Sequence, residues 1–219
     1  MPRWALTPSG LVLVDKPAGP SSFALVRDLR DRTGARAGHA GTLDPFATGL
    51  LLVLLGAFTK QAQSFVDLSK EYETEVDLSA RTATADPEGG VIEELEPPSA
   101  EDLDKRLHYL RGEVDLPIPA ASAVKIGGER AYRLFRRGVE VEMPVRRTMV
   151  HALDLLDYDG RIARLHVHVS KGGYVRAIAE ALGGHCVTLR RTRVGPFRVE
   201  DADPERIIPP EEALASFEL

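Results

Sequence analysis

The chain has a single cysteine, Cys186, in 219 residues. No intrachain disulfide can form, and such cysteine usage suits a reducing, cytoplasmic setting. Long apolar stretches are also missing. The longest purely apolar run, Leu50–Leu55, is far short of the ~20 residues a membrane-spanning helix needs, so no membrane partner is expected. The opening Met1-Pro2-Arg3-Trp4 leads into a turn with no apolar segment of the secretory kind. No repeat occurs at the spacing of a solenoid. What remains is the composition of an ordinary globular protein, long enough for one large domain or a domain carrying an insertion.

Net charge is −5, which taken alone disfavours a nucleic-acid partner. Its distribution says otherwise. Residues 86–104 hold eight acids and no Lys or Arg, and residues 200–219 hold seven acids against Arg206. Residues 161–198 instead carry a net +7, with Glu180 the one acid, and residues 123–150 carry a net +4. One such basic segment usually marks a solvated face. Two of them can neutralise phosphates and make binding salt-dependent.

Hydrophobic periodicity gives a coarse map. Leu11–Val14 reads as a short strand closed by the turn Lys16-Pro17-Ala18-Gly19-Pro20. Ser21 or Ser22 caps a helix with apolar face Phe23, Val26 and Leu29, ended by Gly34. Leu50–Leu55 has the length of a strand buried on both faces, with a helix after it to about Leu68. From Glu71 to Leu78, Tyr72, Thr74, Val76 and Leu78 alternate on one side of a strand. Thr82–Pro98, rich in Pro, Gly and acids, reads as an exposed loop or hairpin excursion. Ser99 with Asp102 starts a helix carrying Leu103, Leu107 and Leu110. Ala131–Gly138 is a short basic helix. Thr148–Leu156 and Ile162–Val169 are strands joined at Asp157-Tyr158-Asp159-Gly160. A helix from about Tyr174 to Leu182 follows, then Cys186–Val194 as a last strand and a short acidic helix at the end. The implied class is α+β on a mixed, mainly antiparallel sheet.

The segment Gly38-His39-Ala40-Gly41-Thr42-Leu43-Asp44-Pro45-Phe46-Ala47-Thr48-Gly49 holds a carboxylate between glycines and a proline, just before the apolar strand. Pro45 fixes its own φ and pushes Asp44 away from helical geometry. A stiff loop at the edge of a core strand suits a displayed functional group, although Asp-Pro is also common in turns.

With its neighbours, this segment resembles the G-H-x-G-x-L-D-P-x-A-T-G box of bacterial tRNA pseudouridine synthases of the TruB family. Further matches occur in family order. They are Gly10–Pro17 with Gly19, Ser21 and Ser22; Ser69-Lys70-Glu71-Tyr72; Ser122-Ala123-Val124-Lys125 through Gly138; Ser170-Lys171-Gly172-Gly173-Tyr174-Val175-Arg176; and Leu189-Arg190-Arg191-Thr192. The resemblance implies the pseudouridine synthase fold over residues 1–198. Within it, residues of about 120–150 form a mobile insertion that grips the tRNA T-arm.

It also implies a chemistry. A uridine, position 55 of the T loop, loses its N-glycosidic bond, turns, and is rejoined through carbon 5. Nothing is oxidised or consumed, so no cofactor is required. Asp44 is then the nucleophilic carboxylate. Arg176 is its counter-charge, where a lone Arg would read as a surface residue. Tyr72 stacks on the uracil and its hydroxyl acts at carbon 5, where the plain reading is core packing. Tyr174 and Leu189 complete an apolar wall. His39 fills the stack left by the flipped base, and Lys16 supports the site or meets phosphate. His166-x-His168 lacks a third ligand and the family uses no metal, so none is expected.

The chain departs from the family pattern at Ala83, Ala121 and Gly173, which puts details of tRNA grip and loop geometry in question. Many members carry a C-terminal PUA domain. Here residues 199–219 read as a short acidic tail instead, leaving T-arm binding to the two basic segments. The expected state is a monomer with no obligate protein partner. The competing reading is a tRNA-binding or tRNA-folding chaperone that kept the fold without the catalysis.

Overall fold

A computed structural model describes residues 8–217, and the opening turn expected at Met1–Trp4 lies outside them. The chain begins with β1 (Gly10–Lys16), α1 (Ser22–Thr33), β2 (Ala37–His39) and β3 (Thr48–Leu55). A 3₁₀ turn (Gly56–Gln61) leads into α2 (Ala62–Val66) and β4 (Lys70–Asp77). Next come β5 (Ala80–Thr82), β6 (Val91–Glu94), α3 (Ala100–Tyr109) and β7 (Gly112–Pro117). The hairpin β8 (Lys125–Ile126) and β9 (Glu129–Arg130) precedes α4 (Ala131–Arg136). Then follow β10 (Val145–Tyr158), β11 (Ile162–Val169), α5 (Val175–Leu182) and β12 (His185–Val194). β13 (Phe197–Arg198), a 3₁₀ turn, β14 (Asp203–Ile208) and α6 (Pro210–Ala215) complete it. The chain divides into two compact units. The first is Met1–Tyr72 with Leu189–Leu219, and the second is Glu73–Thr188.

In the first unit β1 runs antiparallel to β3 without a break, from Gly10 opposite Leu55 to Lys16 opposite Gly49. The other edge of β3 is shared. β2 pairs with it antiparallel at one end, His39 opposite Val53. β12 pairs with it in parallel at the other, Arg191 opposite Gly49. The apolar run is buried on both faces because two cores flank it. Leu50, Leu52 and Leu54 pack with Phe58, Phe65 and Phe197 on one side. Leu51, Val53 and Leu55 meet Val26 and Leu29 of α1 on the other. Helix α1 starts where Ser21 accepts a hydrogen bond from Ala24 N and ends at Gly34 in the left-handed region. The last strand was expected at Cys186–Val194. The structure adds β13 and β14, the latter antiparallel to β1 with Leu11 opposite Ile208. Charge on β14 hid this strand, since four of its six residues are exposed, Ile207 is half-buried and only Ile208 is buried.

In the second unit β10 lies between β11 and β7, antiparallel to both, with β4 on the far side of β11. Leu165, Val167 and Val169 of β11 are fully buried, whereas His166 and His168 alternate to the less buried side. Helix α3 begins at Ser99, whose hydroxyl accepts from Asp102 N. Arg106 of this helix reaches Leu182 O at the end of α5 (2.7 Å). Each unit is therefore helices on mainly antiparallel strands. The expected excursion after Thr82 is a hairpin, β5 with β6, and β6 is exposed along its length. The first part of its connecting turn is not exposed, because Thr84, Ala85 and Asp86 are buried, whereas Pro87, Glu88 and Gly90 face solvent. Among the described residues no helix is long and apolar enough to cross a membrane.

Candidate active site

Asp44 sits half-buried in the connection from β2 to β3, within the first unit. The loop around it is anchored at several peptides. Ser22 Oγ both accepts from Leu43 N and donates to Leu43 O, each at 2.9 Å. Ala47 N closes a turn on Asp44 O (3.1 Å), and Gly19 N reaches Pro45 O (2.8 Å). Lys16 is wholly buried, and its ammonium donates to Pro17 O, Pro45 O and Ala47 O at 2.9, 3.0 and 2.6 Å. Lys16 therefore faces the loop's carbonyls.

A second buried cation crosses the ends of the same loop. Arg191 of β12 is 1 % exposed, and it donates from Nε to Leu50 O (2.7 Å) and from Nη2 to Gly41 O (3.1 Å). Gly49, at φ 99°, lets β3 approach the backbone of β12. A Cβ there would lie 2.2 Å from Arg191 O. Lys70 is a third buried cation, with its ammonium on Val66 O and Leu68 O. Lys16 and Arg191 thus hold carbonyls on both sides of Asp44, whereas Lys70 is held by carbonyls of the turn before β4.

His39 ends β2, five residues before Asp44. Burial, and then the nearby Arg191 guanidinium, lower its pKa, so the ring is held neutral. Its Nδ1 is buried and makes no hydrogen bond, as suits a ring that presents a flat face rather than a proton. Tyr72 is buried on β4 and Leu189 on β12. Sequence alternation had placed Tyr72 in the apolar register, and there it is.

The second unit holds the other expected residues. Arg176 lies in the first turn of α5 and is 2 % exposed, not at the surface where helix arginines usually lie. Its Nη1 donates to Thr84 O (2.8 Å) and its Nη2 to Ala121 O (3.0 Å). Nη1 also stands 3.3 Å from Asp86 Oδ2. Asp86 is in turn held by the Thr84 hydroxyl and by Glu88 N. Sequence reading missed Asp86 by counting it with the exposed acids of residues 86–104. The available signal was its setting, Thr82-Ala83-Thr84-Ala85-Asp86, which is small and uncharged, unlike the glutamates that follow. Tyr174 caps α5, and the Arg146 guanidinium lies 5.9 Å from its ring centroid.

The basic insertion folds as the β8–β9 hairpin carrying α4. The guanidinium carbons of Arg133 and Arg136 are 5.9 and 5.6 Å from the ring centroid of Tyr132 on α4. Arg137 is engaged by both carboxylate oxygens of Glu129. His166 contacts Asp154 (3.3 Å), and His168 lies against His151 with centroids 4.7 Å apart and the rings tilted by 41°. Among the described residues no group of three or more His, Cys, Asp or Glu side chains is placed to hold a metal ion.

Comparison with solved structures defines the class. The fold matches that of a Cbf5–Nop10–Gar1 complex with TM-score 0.66 and 27 % identity, covering 86 % of this chain and 50 % of that one. It also matches a pseudouridylate synthase structure with TM-score 0.53, where 16 % identity supports the fold alone. This is the pseudouridine synthase fold. Within that class, residues 29–175 match the TruB family pseudouridylate synthase N-terminal domain. The chain is 42 % identical to tRNA pseudouridine synthase B of Aromatoleum aromaticum and 46 % to that of a Ruegeria species, in each case over 88 % of its length. It is 42 % identical to that of Corynebacterium glutamicum over 89 %. The chain belongs to the TruB family. It spans 65 %, 67 % and 70 % of those three relatives and half of the first solved structure.

Proposed function

We propose that this chain isomerises uridine 55 in the T loop of tRNA to pseudouridine, with Asp44 as the nucleophile. The observation that carries this reading is the Asp44 loop itself. In a TruB-family chain, a half-exposed carboxylate stands on a loop whose carbonyls are held by two buried cations, Lys16 and Arg191. Carboxylate nucleophiles work when displayed rigidly in a site that favours their charged form.

The reaction needs the uridine out of its stack, at a cost of a few kcal/mol. His39, neutral and flat, takes the vacated place. Tyr72 stacks on the extruded uracil, and Tyr174 and Leu189 wall the detached base. Asp44 bonds covalently to the uridine while the bond from N1 to C1′ breaks. The base turns, C5 bonds to C1′, the bond to Asp44 breaks and returns the free carboxylate, C5 loses its proton and N1 gains one. The product is an isomer of the substrate. The Tyr72 hydroxyl acts at the C5 proton, and Arg176 is the counter-charge to Asp44. Arg133, Arg136 and Tyr132 on α4 bind the T-arm backbone.

The test is incubation of an unmodified tRNA transcript, and of a T-arm stem-loop, with wild type and with Asp44→Asn. Wild type forms pseudouridine at position 55, whereas Asp44→Asn binds equally and forms none. An active Asp44→Asn protein overturns the mechanism. A wild type that binds and remodels tRNA without product supports the chaperone reading instead.

A further inference from the structure

We propose that Arg191 is the positioning residue of the Asp44 loop, tying both of its ends to β12 and so fixing where the carboxylate stands. This rests on the reading of Asp44 as nucleophile and adds to it the residue that aims it.

The argument is geometric. The loop leaves β2 after His39 and rejoins the sheet at β3, and β2 and β12 occupy the same edge of β3. The loop must therefore emerge between those two strands. Arg191 stands at that gap. Its backbone is the parallel partner of Gly49, close enough that no side chain fits at that glycine. Its side chain turns back to Leu50 O and continues to Gly41 O. One residue thus holds the backbone at positions 41, 49 and 50, bracketing Asp44 on both sides.

The planar guanidinium suits this task. Two of its nitrogens reach two carbonyls nine residues apart in sequence with one rigid group, whereas an ammonium on a flexible stem has no such fork. Gly41 assists. It adopts φ 97°, a backbone conformation that favours glycine, at the carbonyl to which Arg191 donates. Lys16 holds the middle of the loop at Pro45 and Ala47, so the two cations divide the loop between them. Arg191 also carries the charge that, after burial itself, holds His39 neutral.

The test uses Arg191→Met and Arg191→Lys in single-turnover pseudouridine formation, with tRNA affinity, thermal unfolding and amide hydrogen exchange measured on the same proteins. For Arg191→Met the rate at saturating tRNA falls about 100-fold, the scale of an angstrom-level misplacement, and tRNA affinity is unchanged. Exchange accelerates across residues 40–50 but not across 10–16. Arg191→Lys, which keeps the charge and loses the fork, is intermediate. A folded Arg191→Met protein at the wild-type rate overturns the proposal, as does a loss confined to affinity. If Arg191→Met does not fold, Arg191→Lys decides, and a wild-type rate in it overturns the proposal. If wild type itself makes no pseudouridine, the reading of Asp44 fails. The exchange comparison then still tests whether Arg191 holds the loop.

Discussion

Arg176 and Asp86 form an ion pair between side chains only 3 % and 5 % exposed, with Nη1 3.3 Å from Oδ2. Removing one partner of such a pair strands the other charge out of water. Asp86→Ala is therefore expected to lower stability by about 3–5 kcal/mol and to abolish activity through displacement of Arg176. Asp86→Asn keeps shape and some hydrogen bonding and is expected to cost less. Urea unfolding of both, with pseudouridine formation assayed at a temperature where each is folded, checks this.

Lys16 gives a second prediction. Its ammonium satisfies three carbonyls in a site without solvent. Lys16→Met fills similar volume but leaves those carbonyls without their charged donor. The expected loss is about 3 kcal/mol, read as a lower urea midpoint at unchanged slope. A wild-type midpoint would show that water replaces the ammonium at no cost.

Gly49 gives a third. At φ 99°, with a Cβ placed 2.2 Å from the Arg191 carbonyl oxygen, alanine would force β3 away from β12. Gly49→Ala is expected to cost about 3 kcal/mol or more. Gly138, which has a comparable φ of 69° and open space around it, is expected to tolerate alanine with the smaller cost of backbone strain. Thermal unfolding of the two variants side by side separates crowding from strain.

The fourth concerns acid stability. Burial raises the Asp77 pKa, but hydrogen bonds from Arg161 and Ser79 outweigh it and bring the carboxyl to about 2. A carboxyl depressed in the folded state stabilises above its unfolded pKa. That stabilisation fades as pH falls from about 4 towards 2, and is worth at most about 2 kcal/mol. Asp77→Asn is expected to be less stable than wild type at pH 7, with the gap closing below pH 3. Urea unfolding across that range reads the sign directly.

Much of this was legible in the chain. Periodicity placed Leu50–Leu55 in the core and Tyr72 on the buried side of β4. Local chemistry placed the caps at Ser21, Gly34 and Ser99 and the hairpin at Asp157–Gly160. These are signals written within a few residues. What could not be read was burial imposed from far along the sequence. Lys16, Lys70 and Arg191 look like solvated cations in their local settings, and each is buried because distant or looped-back carbonyls receive it. Asp86 looks like its acidic neighbours and is buried because Arg176 requires a counter-charge. β14 looks like a polar tail and is a strand because β1 offers a free edge.

The first unit is made of two stretches of chain with the whole second unit between them. This has a consequence for biosynthesis. During vectorial translation Asp44 leaves the ribosome long before Arg191 does, so a nascent chain carries the carboxylate without the residue that braces it. The second unit is continuous, so all of it has left the ribosome before Arg191 does. Closure of the loop by Arg191, and pairing of β14 with β1, must await the last stretch of chain. A truncated product of translation that stops before β12 would possess every residue of the Asp44 box and still lack the guanidinium that donates to Gly41 O and Leu50 O.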